Sequence, residues 1–77
     1  MTITVQYFAR LREDVGRASD EIATPGAVDT AGDLWRHLHG RPPPPRLMVA
    51  INQRHARLDS PVADGDEVAF FPPVTGG

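Results

Sequence analysis

Polar and apolar residues alternate along Thr2-Ile3-Thr4-Val5-Gln6-Tyr7-Phe8. That two-residue period predicts a half-buried strand with Ile3, Val5 and Tyr7 on one face. Ala9 to Gly16 reads as a polar connector with Leu11 and Val15 as possible anchors. Ala18 to Ala23 reads as a weaker strand, since only Ile22 in it is a strong strand former. Thr24-Pro25-Gly26 is turn chemistry. The period then changes. Ala31, Leu34, Trp35 and Leu38 fall at the helical i, i+3, i+4, i+7 spacing, so they form one apolar face. Thr30 or Asp29 caps this helix, Asp33 stands near a capping-box position, and Gly40 is a natural stop. Arg41-Pro42-Pro43-Pro44-Pro45-Arg46 fits neither a helix nor a central strand and is expected to be an extended, polyproline II connector. Leu47 to Asn52 is the most apolar run and predicts a buried strand. Asn52-Gln53-Arg54-His55 begins a turn, and Ala56-Arg57-Leu58 offers a short strand. Asp64-Gly65-Asp66 is a tight turn before the last strand, Glu67 to Phe71, which Pro72 ends. Within that strand Phe70 is expected to face the core and Phe71 to face outward.

The order β-β-α-β-(β)-β predicts an α+β domain. A mixed sheet of four to five strands has one main helix packed across it, with Trp35 beneath the sheet. Seventy-seven residues make one domain. So short a chain buries about 60% of its unfolded surface, which leaves little room for an internal catalytic cleft. The reading divides it into a folded part, residues 1–73, and an extended, flexible tail, residues 74–77. Cysteine is absent, which excludes disulfides, thiol nucleophiles and cysteine metal sites. The net charge is −2 and no basic stripe occurs, so nucleic acid is not an expected partner. No apolar run approaches a membrane span and the first residues lack a signal-peptide pattern, so no membrane partner and a cytoplasmic location are expected. All eight basic residues are arginine, so no side-chain amine is available for Schiff-base chemistry.

The side chains suggest no catalyst. His37 and His39, two apart on a helix, point to different faces, and His55 stands alone in the expected turn. All three read as solvated surface histidines, and no metal or bound cofactor is expected. The Asp64-Gly65-Asp66-Glu67 stretch lacks the spaced oxygens of a calcium loop. The proline run, with its flanking arginines, fits a connector better than an SH3-type ligand. No phosphate-binding loop, triad or carboxylate pair stands out.

What remains is the end of the chain. Pro72 and Pro73 are stiff and lack amide hydrogens, and Val74-Thr75-Gly76-Gly77 follows them. Two glycines without Cβ atoms pass through a channel too narrow for any side chain. The expected reactive group is therefore the α-carboxylate of Gly77. With a pKa of about 3.5 it is ionised at neutral pH and is a poor electrophile until activated. Adenylation would need ATP and a separate enzyme. The activated end then accepts an amine, to give a conjugate, or sulfide, to give a thiocarboxylate.

The segment Asp64-Gly65-Asp66-Glu67-Val68-Ala69-Phe70-Phe71-Pro72-Pro73-Val74-Thr75-Gly76-Gly77 closely resembles the small, sulfur-carrying subunits of molybdopterin synthase. Ile51-Asn52-Gln53 and the strand ending in Phe8-Ala9 share that resemblance. It implies a ubiquitin-like β-grasp fold. It also implies that an E1-like enzyme adenylates Gly77 with ATP, that a sulfur-donor protein supplies the sulfur, and that Gly77 becomes a thiocarboxylate. The tail, with Gly76 beside Gly77 and with Pro72, Pro73, Val74 and Thr75 as partner-binding residues, then enters the large catalytic subunit. There the sulfur passes to cyclic pyranopterin monophosphate to build the dithiolene. The family assembles as a heterotetramer, and the small subunit has no turnover alone. By position Phe8 and Phe71 match the family's apolar contact residues. His55 stands where relatives carry an apolar contact, and the Pro42–Pro45 run replaces a more ordinary connector. Three other readings stay open: a carrier for another pathway, a ubiquitin-like modifier joined through Gly77, and a plain interaction module.

Overall fold

The computed structural model describes residues 2–23 and 28–72. Seven elements follow one another: β1 (Thr2–Tyr7), α1 (Arg10–Val15), β2 (Ser19–Ala23), α2 (Ala31–His39), β3 (Met48–Ile51), β4 (Arg54–Ala56) and β5 (Glu67–Phe71). The strands form one mixed sheet in the order β2-β1-β5-β3-β4. β5 lies in the middle, parallel to β1 and antiparallel to β3. This is the β-grasp architecture: two hairpins joined through a parallel central pair, with one main helix crossing the sheet.

The alternation read from the sequence sets the inner face. Ile3, Val5 and Tyr7 of β1 are buried, as are Val68 and Phe70 of β5 and Val49 of β3. Ala31, Leu34 and Trp35 of α2 are buried against them, with Leu38 partly buried beside the core. Trp35 is 2% exposed and meets Phe70 edge-on, their ring centroids 5.1 Å apart. Tyr7 lies 6.3 Å from Phe70 and 6.4 Å from Trp35. Perpendicular and offset contacts of this kind match the charge distribution of aromatic rings. Among the described residues, Trp35 Nε1 is the one buried side-chain polar atom without a hydrogen-bond partner.

The ends of α2 follow their sequence signals. Thr30 is the N-cap, and its hydroxyl accepts from the Asp33 amide while Asp33 accepts from the Thr30 amide. Aspartate thus closes the capping box despite its short side chain. The next two free amides also find partners: Ala31 N donates to Ser60 O at 3.0 Å and Gly32 N to Leu58 O at 2.7 Å. Gly32 permits this approach, because a Cβ there would stand 3.1 Å from the same Leu58 oxygen. Gly40 ends the helix in the left-handed region.

Two elements differ from the sequence reading. Residues 10–15 are a short helix rather than a connector. Leu11 is buried and Val15 is packed against the core, four residues apart on one face. Six residues are too few for a hydrophobic period to stand out from a charged background. The second difference is the β3–β4 hairpin. Asn52 and Gln53 both adopt positive φ, 52° and 68°. A two-residue loop with that geometry matches the twist of its strands and returns the chain at once. Arg54 and His55 therefore already belong to β4, and the short strand ends at Ala56 instead of Leu58. Gly65 in the Asp64-Gly65-Asp66 turn has φ 85°, as the expected turn chemistry requires.

Removing the indole tests this core. Trp35→Ala should cost about 3–5 kcal/mol in urea denaturation. That is a large share of the total for a chain stabilised by roughly 0.05–0.15 kcal/mol per residue. A shift of the urea midpoint by less than about a tenth of the wild-type value would contradict the buried position.

Candidate functional site

The central strand β5 delivers the chain to its end. After Phe71 the backbone leaves the sheet at Pro72, which is half-buried. Pro73, Val74, Thr75, Gly76 and Gly77, which the sequence reading expected to bind the partner and carry the reactive end, lie outside the described residues. The structure does describe the platform from which that tail departs.

Alternation in β5 buries Phe70 completely and turns Phe71 to the opposite, helix-free face. Phe8, directly after β1, is turned the same way. Its amide donates to Phe70 O at 3.1 Å, which draws it level with the end of β5. The two rings stack with centroids 4.8 Å apart and planes within 10°. Both are only half-buried. The pairing is thus set by the parallel β1–β5 register, in which Tyr7 lies opposite Phe70. The pair makes a flat, partly exposed apolar patch on the open face, at the exit of the central strand.

The strand registers define the rest of that face. Gln6, Ala69, Ala50 and His55 lie in one row across β1, β5, β3 and β4. His55 is exposed and stands on the edge strand of this face, a correction to its expected place in a turn. Asn52 holds the neighbouring hairpin against β5. Its Oδ1 accepts from the Glu67 amide at 3.0 Å and its Nδ2 donates to Asp66 Oδ1 at 3.0 Å. Sequence reasoning placed Asn52 at the end of a strand and the start of a turn, and within the Ile51-Asn52-Gln53 resemblance. Its positive φ and its double side-chain bond are tertiary facts. Among the described residues no group of three or more histidine and carboxylate side chains is placed to hold a metal ion. No helix of the described residues is long and apolar enough to cross a membrane.

The ThiS family sequence profile matches residues 5–77. The chain belongs to the ThiS family. It is 40% identical over 82 aligned positions to the molybdopterin synthase sulfur carrier subunit of Escherichia coli K12, covering 97% of this chain and 99% of that one. It is 42% identical to the subunit of the same name from Haemophilus influenzae, covering 97% and 99%. Among solved structures, SAMP1 from Haloferax volcanii superposes with a TM-score of 0.77 at 30% identity and full coverage of both chains. The β-grasp fold and the sulfur-carrier resemblance read from the sequence therefore hold across almost the whole chain.

On its helix side this ThiS-family chain carries a polar knot that the sequence did not show. Tyr7 Oη donates to Asp20 Oδ2 at 2.8 Å, and Arg17 Nε donates to the same oxygen at 2.7 Å. Burial, then the hydrogen bond and charge of Asp20, push the Tyr7 phenol well above its ordinary value, against a smaller opposing effect of Arg17. The phenol is therefore protonated, and its single proton is given to Asp20. His39 Nε2, 3.0 Å from the phenol oxygen, must then be the donor, which fixes the imidazole tautomer. His39 is thus not a solvated surface residue: it is half-buried, with its ring 4.3 Å from that of Trp35. His39 stands four residues after Trp35, the helical spacing that brings two side chains together, and that spacing was the sequence sign of the contact.

Burial lowers the His39 pKa, and Arg17 and Arg41 lower it further, while Asp20 opposes them. In the unfolded chain the imidazole binds its proton near the ordinary value of about 6.5. In the window below that value the unfolded state holds more protons, so stability rises with pH there. The His39 contribution is complete above the window and is lost as pH falls through it. The urea midpoint should therefore drop between about pH 7.5 and about pH 5.5. His39→Gln, which keeps a donor for Tyr7 without the titration, should flatten that drop; an identical slope in the variant would contradict the assignment.

Proposed function

We propose that this chain is the sulfur-carrier subunit of a molybdopterin synthase, with the α-carboxylate of Gly77 as its working group. The observation that carries this reading is the near-full-length likeness to proteins of that name. It is supported by the stacked Phe8–Phe71 pair at the exit of the strand that feeds the tail.

The chemistry follows from the carboxylate. An E1-like partner transfers AMP from ATP to Gly77, releasing pyrophosphate and leaving a mixed anhydride. Sulfide equivalents from a sulfur-donor protein attack the acyl carbon and AMP departs, giving the thiocarboxylate. Gly76 and Gly77 let the backbone pass a narrow channel into the large subunit. There the thiocarboxylate sulfur attacks a side-chain carbon of cyclic pyranopterin monophosphate, forming the C–S bond as a C–O bond at that carbon breaks and its oxygen leaves with the electron pair. Hydrolysis of the resulting thioester returns the carboxylate and leaves the sulfur on the pterin. Phe8 and Phe71 dock on the partner's apolar surface, while Pro72, Pro73, Val74 and Thr75 lie along the entrance. The chain supplies a reactant and a docking face, and turnover belongs to the complex.

A second reading has one observation in its favour. H. volcanii small archaeal modifier protein 1 superposes with a TM-score of 0.75 at 26% identity. Conjugation through Gly77 begins with the same adenylate and ends in an amide instead of a thioacid.

Intact mass separates the two. Incubation with an activating enzyme, ATP and a sulfur source should replace one oxygen by sulfur at Gly77. An amide-linked adduct in its place would favour the modifier. Deleting Gly77 should abolish sulfur transfer and leave the fold intact, and retained transfer would refute the tail chemistry. Phe71→Arg should weaken binding to the large subunit by about tenfold or more, roughly 1.4 kcal/mol. Its thermal midpoint should stay near the wild-type value, because Phe71 stands on the open face. A large loss of stability at unchanged affinity would instead make Phe71 a core residue.

A further inference from the structure

Ala69 and Ala50 sit side by side at the centre of the open face, paired across β5 and β3. Their methyl groups lie between longer side chains, Gln6 on β1 and His55 on β4, in the same row. A shallow trough of about 280 Å³ lies over the two alanines, bordered by Gln6, Phe8, Gln53, Glu67 and Phe71.

Glu67 is the charged group of this trough. Its Oε2 accepts a 2.6 Å hydrogen bond from Gln6 Nε2, which holds the carboxylate in place across the two strands. Among the described residues the ion pairs are Arg17–Asp20 and Arg36–Asp33, so no described cation is paired with it. A second carboxylate, Glu21, lies on the same face, since Thr4 pairs with both Glu21 and Glu67. An apolar partner side chain seated here would cover Glu67 without pairing it, at the cost of desolvating a charge. The trough therefore discriminates against an all-apolar occupant and favours a cation on an apolar stem.

We propose that this trough takes an arginine side chain presented by the docking partner, with the guanidinium on Glu67 and the stem over Ala69 and Ala50 beside the Phe71 ring. Arginine fits better than lysine. Its planar fork matches a carboxylate, it sheds water more readily, and it packs on aromatic faces. Arginine is also enriched among the residues that dominate interface energies. The proposal takes its partner from the function given above, while the chemistry of the trough stands apart from it.

Two arms test it. In the first, the isotope-labelled full chain is titrated with N-acetyl-arginine amide and followed by amide chemical shifts. Saturable shifts at Gln6, Ala50, Glu67 and Ala69 are expected, much weaker in Glu67→Gln and absent with N-acetyl-norleucine amide. No shifts, equal shifts in the variant, or equal shifts with norleucine would overturn the proposal. The same amides moving with protein concentration alone would assign the trough to a second copy of the chain and also overturn it. In the second arm, Glu67→Gln should weaken binding to the synthase large subunit by about tenfold, and the difference should shrink at high salt. Unchanged affinity in a pair that binds well as wild type would sink the inference. Failure of the wild-type chain to bind at all would overturn the proposed function instead, leaving the titration to judge the trough.

Discussion

The parallel pairing of β1 with β5 is the constraint on which the rest depends. It joins the two ends of the chain, setting Val5 beside Val68 and Tyr7 beside Phe70. Such a contact closes a loop of nearly the whole sequence, at a large entropic cost, and local propensity cannot supply it. The offsetting gain is the aromatic cluster it completes. Trp35 from the helix contacts Tyr7 and Phe70 only when the two strands lie side by side.

That pairing also determines the open face. Strand alternation sends successive residues to opposite sides, so burying Phe70 obliges Phe71 to face outward. The same register brings Phe8 level with it. A slip of one residue would place Phe71 in the core and dissolve the aromatic pair. The buried core and the outer aromatic pair are thus two faces of one register. The outer face can vary in polarity, as His55, Gln6 and Glu67 do, without disturbing the packing beneath.

The polar groups follow the same logic. Asn52 ties the β3–β4 turn to the start of β5, so the edge hairpin moves with the central strand. The Tyr7–Asp20–His39 knot ties β1 and β2 to the last turn of the helix. Each lies between elements distant in sequence. Both positions read as ordinary turn or surface residues when taken along the chain.

Much of the molecule was legible beforehand. Two-residue alternation identified β1 and β5, the helical spacing identified α2, and Thr30, Asp33 and Gly40 marked its ends, because these signals arise between near neighbours. The Gly-Gly end and the family resemblance carried the proposed chemistry, because the atoms it would use belong to the backbone. What the sequence could not show was the helix at residues 10–15, the early start of β4, and the hydrogen bond between Tyr7 and His39. Sheet order and the side-by-side alanines beneath Phe71 were equally hidden. Each of these depends on which distant segment packs alongside, and the pattern along a single strand or helix carries no information about its neighbour across the sheet.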